Sequence, residues 1–118
     1  MAEFTNEKIL PQSLEAEQAV LAAMFNDKDA ILEVIPILKE TDFYRHDHGV
    51  LYATMRNMNE QGVPIDLVTI TAQLDKDGNL ENAGGITYVA QIANSIGSAS
   101  NIVPSANIVK EKAVLRDL

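Results

Sequence analysis

Apolar residues in this chain recur three and four positions apart, in one short segment after another, and each segment is closed by a proline, a glycine or an Asn-Asp pair. That spacing puts the apolar side chains on one face of a helix and leaves the opposite face polar. Leu14, Leu21 and Phe25, flanked by Val20 and Met24, form the first such stripe. Ser13 stands before it as an N-cap, and Glu15 and Glu17 favour the positive end of the helix dipole. The reading is a helix from about Gln12 to Phe25, stopped at Asn26-Asp27.

Ile31, Val34, Ile35 and Leu38 repeat the pattern, but Pro36 lies inside it. Proline lacks the N–H donor and clashes with the preceding turn, so a kink or break followed by a short second piece is expected. Thr41-Asp42-Phe43-Tyr44 reads as a connector pinned to the core by its two aromatics. A third helix is expected from Arg45–Asp47 to Glu60, burying Leu51, Met55 and Met58 and stopping at Gly62. Asp66 then caps a run, Leu67 to Leu74, whose β-branched residues resemble a strand. The spacing of Leu67, Ile70 and Leu74 and the stop at Asp77-Gly78 favour a short helix. Ile86, Val89, Ala93 and Ile96 mark another helix, after a turn-rich linker that contains Gly84-Gly85.

Gly97 to Asn101 is a loop of small and polar residues, and from about Ser105 the chain reads as helical to its last residue. Ile108 and Leu115 lie one heptad apart in that helix, with Val109 and Val114 beside them, and no stop signal precedes Leu118. Sparse apolar positions on a charged background suit a helix that pairs with another helix. The expected fold is all-α: a small globular bundle of about six helices. Residues 1–11 form a flexible arm, 12–101 the globular head, and 102–118 a helix that is still running where the chain stops.

Composition supports one soluble domain. With 118 residues, 47% hydrophobic and only 5% aromatic, the chain can build a single aliphatic core. No apolar stretch reaches the roughly 20 residues of a membrane helix, and the N-terminus lacks a signal-peptide pattern. There is no cysteine, which excludes disulfides and thiolate metal sites and fits a cytoplasmic setting. The formal charge is −8, from 17 acidic against 9 basic residues. Nucleic acid is bound by lysines and arginines that displace condensed counterions. Here Lys110, Lys112 and Arg116 are interrupted by Glu111 and Asp117, so direct DNA binding by this chain is disfavoured.

Chemistry is equally hard to assemble. His46 and His48 lie beside Asp42 and Asp47, but two residues apart on a helix they face different ways. The paired acids Glu15 with Glu17, and Asp75 with Asp77, sit at helix ends with no apolar pocket to separate their roles. No base–nucleophile–orienter set exists, so no catalytic, metal or cofactor-binding residue is assigned.

Several runs in order carry a resemblance. Leu10-Pro11-Gln12-Ser13-Leu14-Glu15-Ala16-Glu17-Gln18-Ala19-Val20-Leu21 comes first, then Asp42-Phe43-Tyr44 with His48, and Gly62-Val63-Pro64-Ile65-Asp66-Leu67-Val68-Thr69. Leu80-Glu81, Gly84-Gly85, Tyr88, Asn101-Ile102 and Ile108-Val109-Lys110-Glu111-Lys112 with Arg116 complete the series. Together they resemble the N-terminal domain of bacterial or phage DnaB-type replicative DNA helicases. The chain departs from the family at Ala22, where Gly is usual, at Gln12, where a second Pro is common, and at Pro104-Ser105, which changes the approach to the last helix.

The resemblance implies a hexameric, ATP-driven helicase whose motor, with its ATP and Mg²⁺, lies beyond this piece. No Gly-rich loop ending in Gly-Lys-Ser or Gly-Lys-Thr occurs in the chain, so no enzymatic role is expected of it. The implied role is protein–protein interaction: building an N-terminal collar with other subunits and docking the C-terminal domain of a DnaG-type primase, with the helicase loader as a further partner. DNA would be met through the parent protein; an accessory domain contacting DNA strands within the collar is the alternative. Glu15 and Tyr88 are the candidate partner-binding residues. Ile108, Val109, Leu115 and Leu118 are the candidates for the subunit interface, on a hairpin of which only the first part is present, so a monomer is expected in dilute solution.

Overall fold

The computed structural model describes residues 10–95 and 101–118. Among these, six α-helices and one 3₁₀ turn follow in order: α1 (Leu14–Asn26), α2 (Lys28–Val34), the 3₁₀ turn (Glu40–Asp42), α3 (His46–Glu60), α4 (Leu67–Lys76), α5 (Gly85–Ala93) and α6 (Val103–Arg116). The all-α expectation holds. The arm read for residues 1–11 lies outside the described residues except for Leu10 and Pro11, as does most of the loop from Gly97 to Asn101.

Helix α1 is the hub, packed against α2, α3, α5 and α6. Its start follows from Ser13, whose side chain accepts from the Ala16 N–H at 3.2 Å. Its end follows from Asp27, which leaves the helical region at φ −148° and at once caps α2 by accepting from the Asp29 N–H. One residue therefore ends one helix and starts the next.

After α2 the structure departs from the sequence reading. No second helical piece follows Pro36. The chain makes a turn over 35–37, then extends through Lys39 into the 3₁₀ turn. The missing proline donor forbids continuation, and two later contacts hold the released chain. The Tyr52 hydroxyl donates to Leu38 O at 2.6 Å, and the Asp42 carboxylate accepts from the Lys39 N–H at 2.9 Å. Only one of the two connector aromatics is pinned inside. Phe43 is buried against Tyr52, whereas Tyr44 is exposed and lies beneath the Arg116 guanidinium, 5.4 Å from its ring centre.

The β-branched run does form α4, because Asp66 and Thr69 cap each other reciprocally at 2.9 Å in both directions. Leu51, Met55, Met58, Ile70 and Leu74 join Val20, Leu21, Met24 and Ile31 in one core. Full burial of each such side chain stabilises the fold by about 1.5–3 kcal/mol.

In α5 the buried face is rotated from the expected one. Val89 and Ile92 are buried, but Ile86 is 54% exposed, so the stripe runs through 88, 89 and 92; Ile96 lies outside the described residues. The cause is Tyr88, whose hydroxyl is bonded inward. Helix α6 begins at Val103, two residues earlier than read, because Pro104 fits the first turn, where no backbone donor is needed. It lies along α1 and the 3₁₀ turn, and Ile102, Ala106 and Val109 enter the shared core.

Candidate protein-interaction face

The first turns of α1, α3 and α5 meet around two side chains that a soluble protein rarely buries. Glu17 is 1% exposed and His48 is 0% exposed. The burial is affordable only because every polar atom has a partner. Glu17 Oε2 accepts from the Tyr44 N–H at 2.6 Å, and Oε1 accepts from the Arg45 N–H at 3.4 Å. His48 Nδ1 lies 2.7 Å from Glu17 Oε1, and its Nε2 lies 2.6 Å from the Tyr88 hydroxyl. Gln18 Nε2 donates to that same hydroxyl at 3.1 Å. The His48 and Tyr88 rings are nearly parallel, with centres 5.8 Å apart.

A face of the Tyr88 ring meets a cation. The Arg45 guanidinium sits 4.7 Å from the ring centre and is held there by a two-pronged bond to Asp47. The Asp47 bond pushes the Arg45 pKa above its ordinary high value, so the stacked cation is permanent. The ring also rests on backbone. Gly84 has φ +100°, and a β-carbon there would approach Tyr88 Cδ2 to 2.7 Å and Asp47 Oδ2 to 3.2 Å. The first glycine of the pair thus makes room for Tyr88.

Both proposed partner residues border this site. Tyr88 is half-buried, with its hydroxyl already committed inside. Glu15 is exposed one turn before Gln18 on α1, so it lies on the α1 face that meets Tyr88. The sequence reading singled out Tyr88 but treated Glu17 as a helix-dipole acid and gave His48 no role. Glu17, His48, Gln18, Arg45 and Gly84 belong to the site as well. The nearest signal in the sequence is a Glu inside the otherwise apolar face of α1, at the position one turn before Leu21.

A second polar cluster ties α6 to the head. Asp42, 5% exposed, accepts from Lys110 Nζ at 3.2 Å. Arg116 donates to Asp42 O at 2.7 Å and to Pro11 O at 2.8 Å. The four α6 candidates separate: Val109 is buried in the core, whereas Ile108 is 40%, Leu115 42% and Leu118 93% exposed. Ile108, Leu115 and Leu118, with Val114, leave an outward apolar face on the helix.

His46 is exposed and His48 buried, on different faces of α3, so the two histidines do not converge. Among the described residues, no three His, Asp or Glu side chains come together as metal ligands would. No described helix is long and apolar enough to cross a membrane.

Among the described residues, six helices around a central α1, tied together by the Glu17–His48–Tyr88 network and the Asp42–Lys110–Arg116 cluster, define a helical head domain. Residues 9–111 match the family model of the DnaB-like helicase N-terminal domain, and the chain belongs to that family. It is 44% identical over 118 residues to the replicative DNA helicase DnaB of Geobacillus stearothermophilus, covering 100% of this chain and 26% of that protein. It is 43% identical over the same length to the replicative DNA helicase DnaC of Bacillus subtilis, again 26% of that protein. The chain thus spans about a quarter of the length of these relatives.

Two solved structures share the fold. The crystal structure of the N-terminal domain of DnaB helicase from Mycobacterium tuberculosis superposes with a TM-score of 0.85 at 41% identity, over 92% of this chain and 78% of that one. A DnaB-like replicative helicase, described together with its interactions with primase, matches with a TM-score of 0.75 at 27% identity, over 89% of this chain and 25% of that one.

Proposed function

We propose that this chain is the interaction domain of a hexameric replicative DNA helicase: it helps to form the N-terminal collar and docks the C-terminal domain of a DnaG-type primase. The domain itself carries no catalysis; ATP and Mg²⁺ belong to the motor of the parent protein, which works in the cytoplasm. Family membership supports the assignment, and so does a structural neighbour described with its primase interactions. The observation that carries it is the placement of Glu15 and Tyr88. An exposed acid at the start of α1 and a stiff aromatic on α5, stacked with Arg45, sit on two helices that the Gln18–Tyr88 bond joins. Aromatic and arginine side chains are the usual anchors of interfaces, and a neighbouring carboxylate orients a basic partner. The outward Ile108, Leu115 and Leu118 of α6 supply an apolar strip for pairing with another subunit. Val109 supports that strip from beneath.

The test is an NMR titration of the labelled chain with the primase C-terminal domain. Saturable shifts around Glu15, Tyr88 and α6 are expected. Silence that persists when a longer chain carrying the rest of the hairpin is used would overturn the docking role.

A further inference from the structure

The hydrogen bonds around His48 fit a single direction of donation. Glu17 already accepts two backbone N–H groups, from Tyr44 and Arg45, so its carboxylate faces His48 Nδ1 as an acceptor. Nδ1 therefore carries the proton. Gln18 Nε2 donates to the Tyr88 hydroxyl, which leaves that hydroxyl's own proton for His48 Nε2, 2.6 Å away. Donors and acceptors alternate without a gap from Gln18 through Tyr88 and His48 to Glu17. The chain closes with His48 in the Nδ1–H tautomer.

The charged groups around this chain are few. From α3 and its approach, Arg45 covers a face of the Tyr88 ring and Asp47 holds Arg45; from α1, Glu17 bonds His48 and Glu15 is exposed one turn before Gln18. Among the described residues, His48 and Gln18 hold the Tyr88 hydroxyl. The ring is held at its hydroxyl end by His48, on one face by Arg45 and along its edge by the Gly84 backbone, and its position sets the rotation of α5.

We propose that His48, oriented by Glu17, is the positioning residue for Tyr88, fixing the face that α5 presents beside Glu15. Its link to function rests on reading that face as the primase dock. Buried networks in which every member is satisfied specify one arrangement and resist alternatives. Docking strength then depends on a residue that never touches the partner.

Two measurements test this on the same samples. Nitrogen-15 spectra of the imidazole should show His48 protonated at Nδ1 only, with a slowly exchanging proton. The Y88F variant should move the Nε2 signal and leave the Nδ1 proton in place. Asparagine can keep the Nδ1-like donor to Glu17 while losing the contact to Tyr88. H48N and Y88F should therefore each weaken binding of the primase C-terminal domain about tenfold, and the double variant no more than either alone. An imidazole that exchanges freely between tautomers overturns the proposal. So does H48N docking like the unaltered chain while Y88A fails to dock. Docking indifferent to Y88A, or absent in the unaltered chain, overturns the docking reading alone; the tautomer and its response to Y88F then still decide the positioning role.

Discussion

Glu17 and His48 are 31 residues apart in the chain and 2.7 Å apart in the fold, both sealed from water. Removing the carboxylate strands three donors at once: the Tyr44 and Arg45 amides and the imidazole N–H. Leaving a buried donor without an acceptor costs about 1–3 kcal/mol. Urea unfolding of E17A should show a loss in that range, whereas E15A, on the exposed side of the same turn, should stay within about 0.5 kcal/mol of the unaltered chain.

Gly84 meets Tyr88 in a conformation with φ +100° and has no room for a β-carbon. G84A combines backbone strain with a steric clash, and a loss of about 1–3 kcal/mol is expected. Because the clash is with the Tyr88 ring, part of that loss should disappear in a Y88A background. A thermal double-mutant cycle measures the coupling; strict additivity would mean that the ring is not what crowds position 84.

Arg116 closes the N-terminal approach onto α6 through Pro11 O and Asp42 O. Hydrogen bonds from a charged donor contribute about 1.5–3 kcal/mol. R116A should lower stability by roughly that amount and speed amide exchange in the last turns of α6. R116K should recover little, since one ammonium cannot reproduce a planar fork that bridges two carbonyls and stacks on Tyr44.

Acid and alkali should act on neighbouring groups along one face of α3. The Arg56 side chain, bonded to Glu40 at 2.6 Å, holds the Glu40 carboxyl below its ordinary value of 4.5. A carboxyl depressed in the fold adds stability above its unfolded value, and that stability is lost as pH falls through the folded value. The pair is partly exposed, so the effect is under about 1 kcal/mol and shrinks in salt. Burial pushes the Tyr52 hydroxyl above 10.0. Its contribution is complete below 10.0 and is lost as pH climbs through the higher folded value. Urea midpoints of R56M against the unaltered chain check the acid side: R56M should show the shallower fall below about pH 4.5.

Ile108 and Leu115 are exposed on α6, so changing both to Ser should leave the stability of the isolated chain within about 0.5 kcal/mol. In a longer chain carrying the rest of the hairpin, the same change should lower the mass measured by light scattering toward that of a monomer. V109S should instead unfold the head, because its side chain fills the core.

Helix number, caps and stops were readable from the sequence because they depend on near neighbours. Ser13, Asp66 and Gly62 act within three or four residues, and the 3.6-residue period marks the buried faces of α1, α3 and α4. Local pattern failed where a distant partner decided. Pro36 announces a break, but the turn and 3₁₀ segment that replace a helix depend on Tyr52, Lys110 and Arg116 arriving from later in the chain. The rotation of α5 follows from a bond between Tyr88 and His48, 40 positions apart, and outweighs the apolar claim of Ile86. Glu17 carries the same letter as Glu15, two residues before it, yet one is exposed and the other buried. A carboxylate goes inside only where donors have already been placed to receive it, and packing three helices together is what places them.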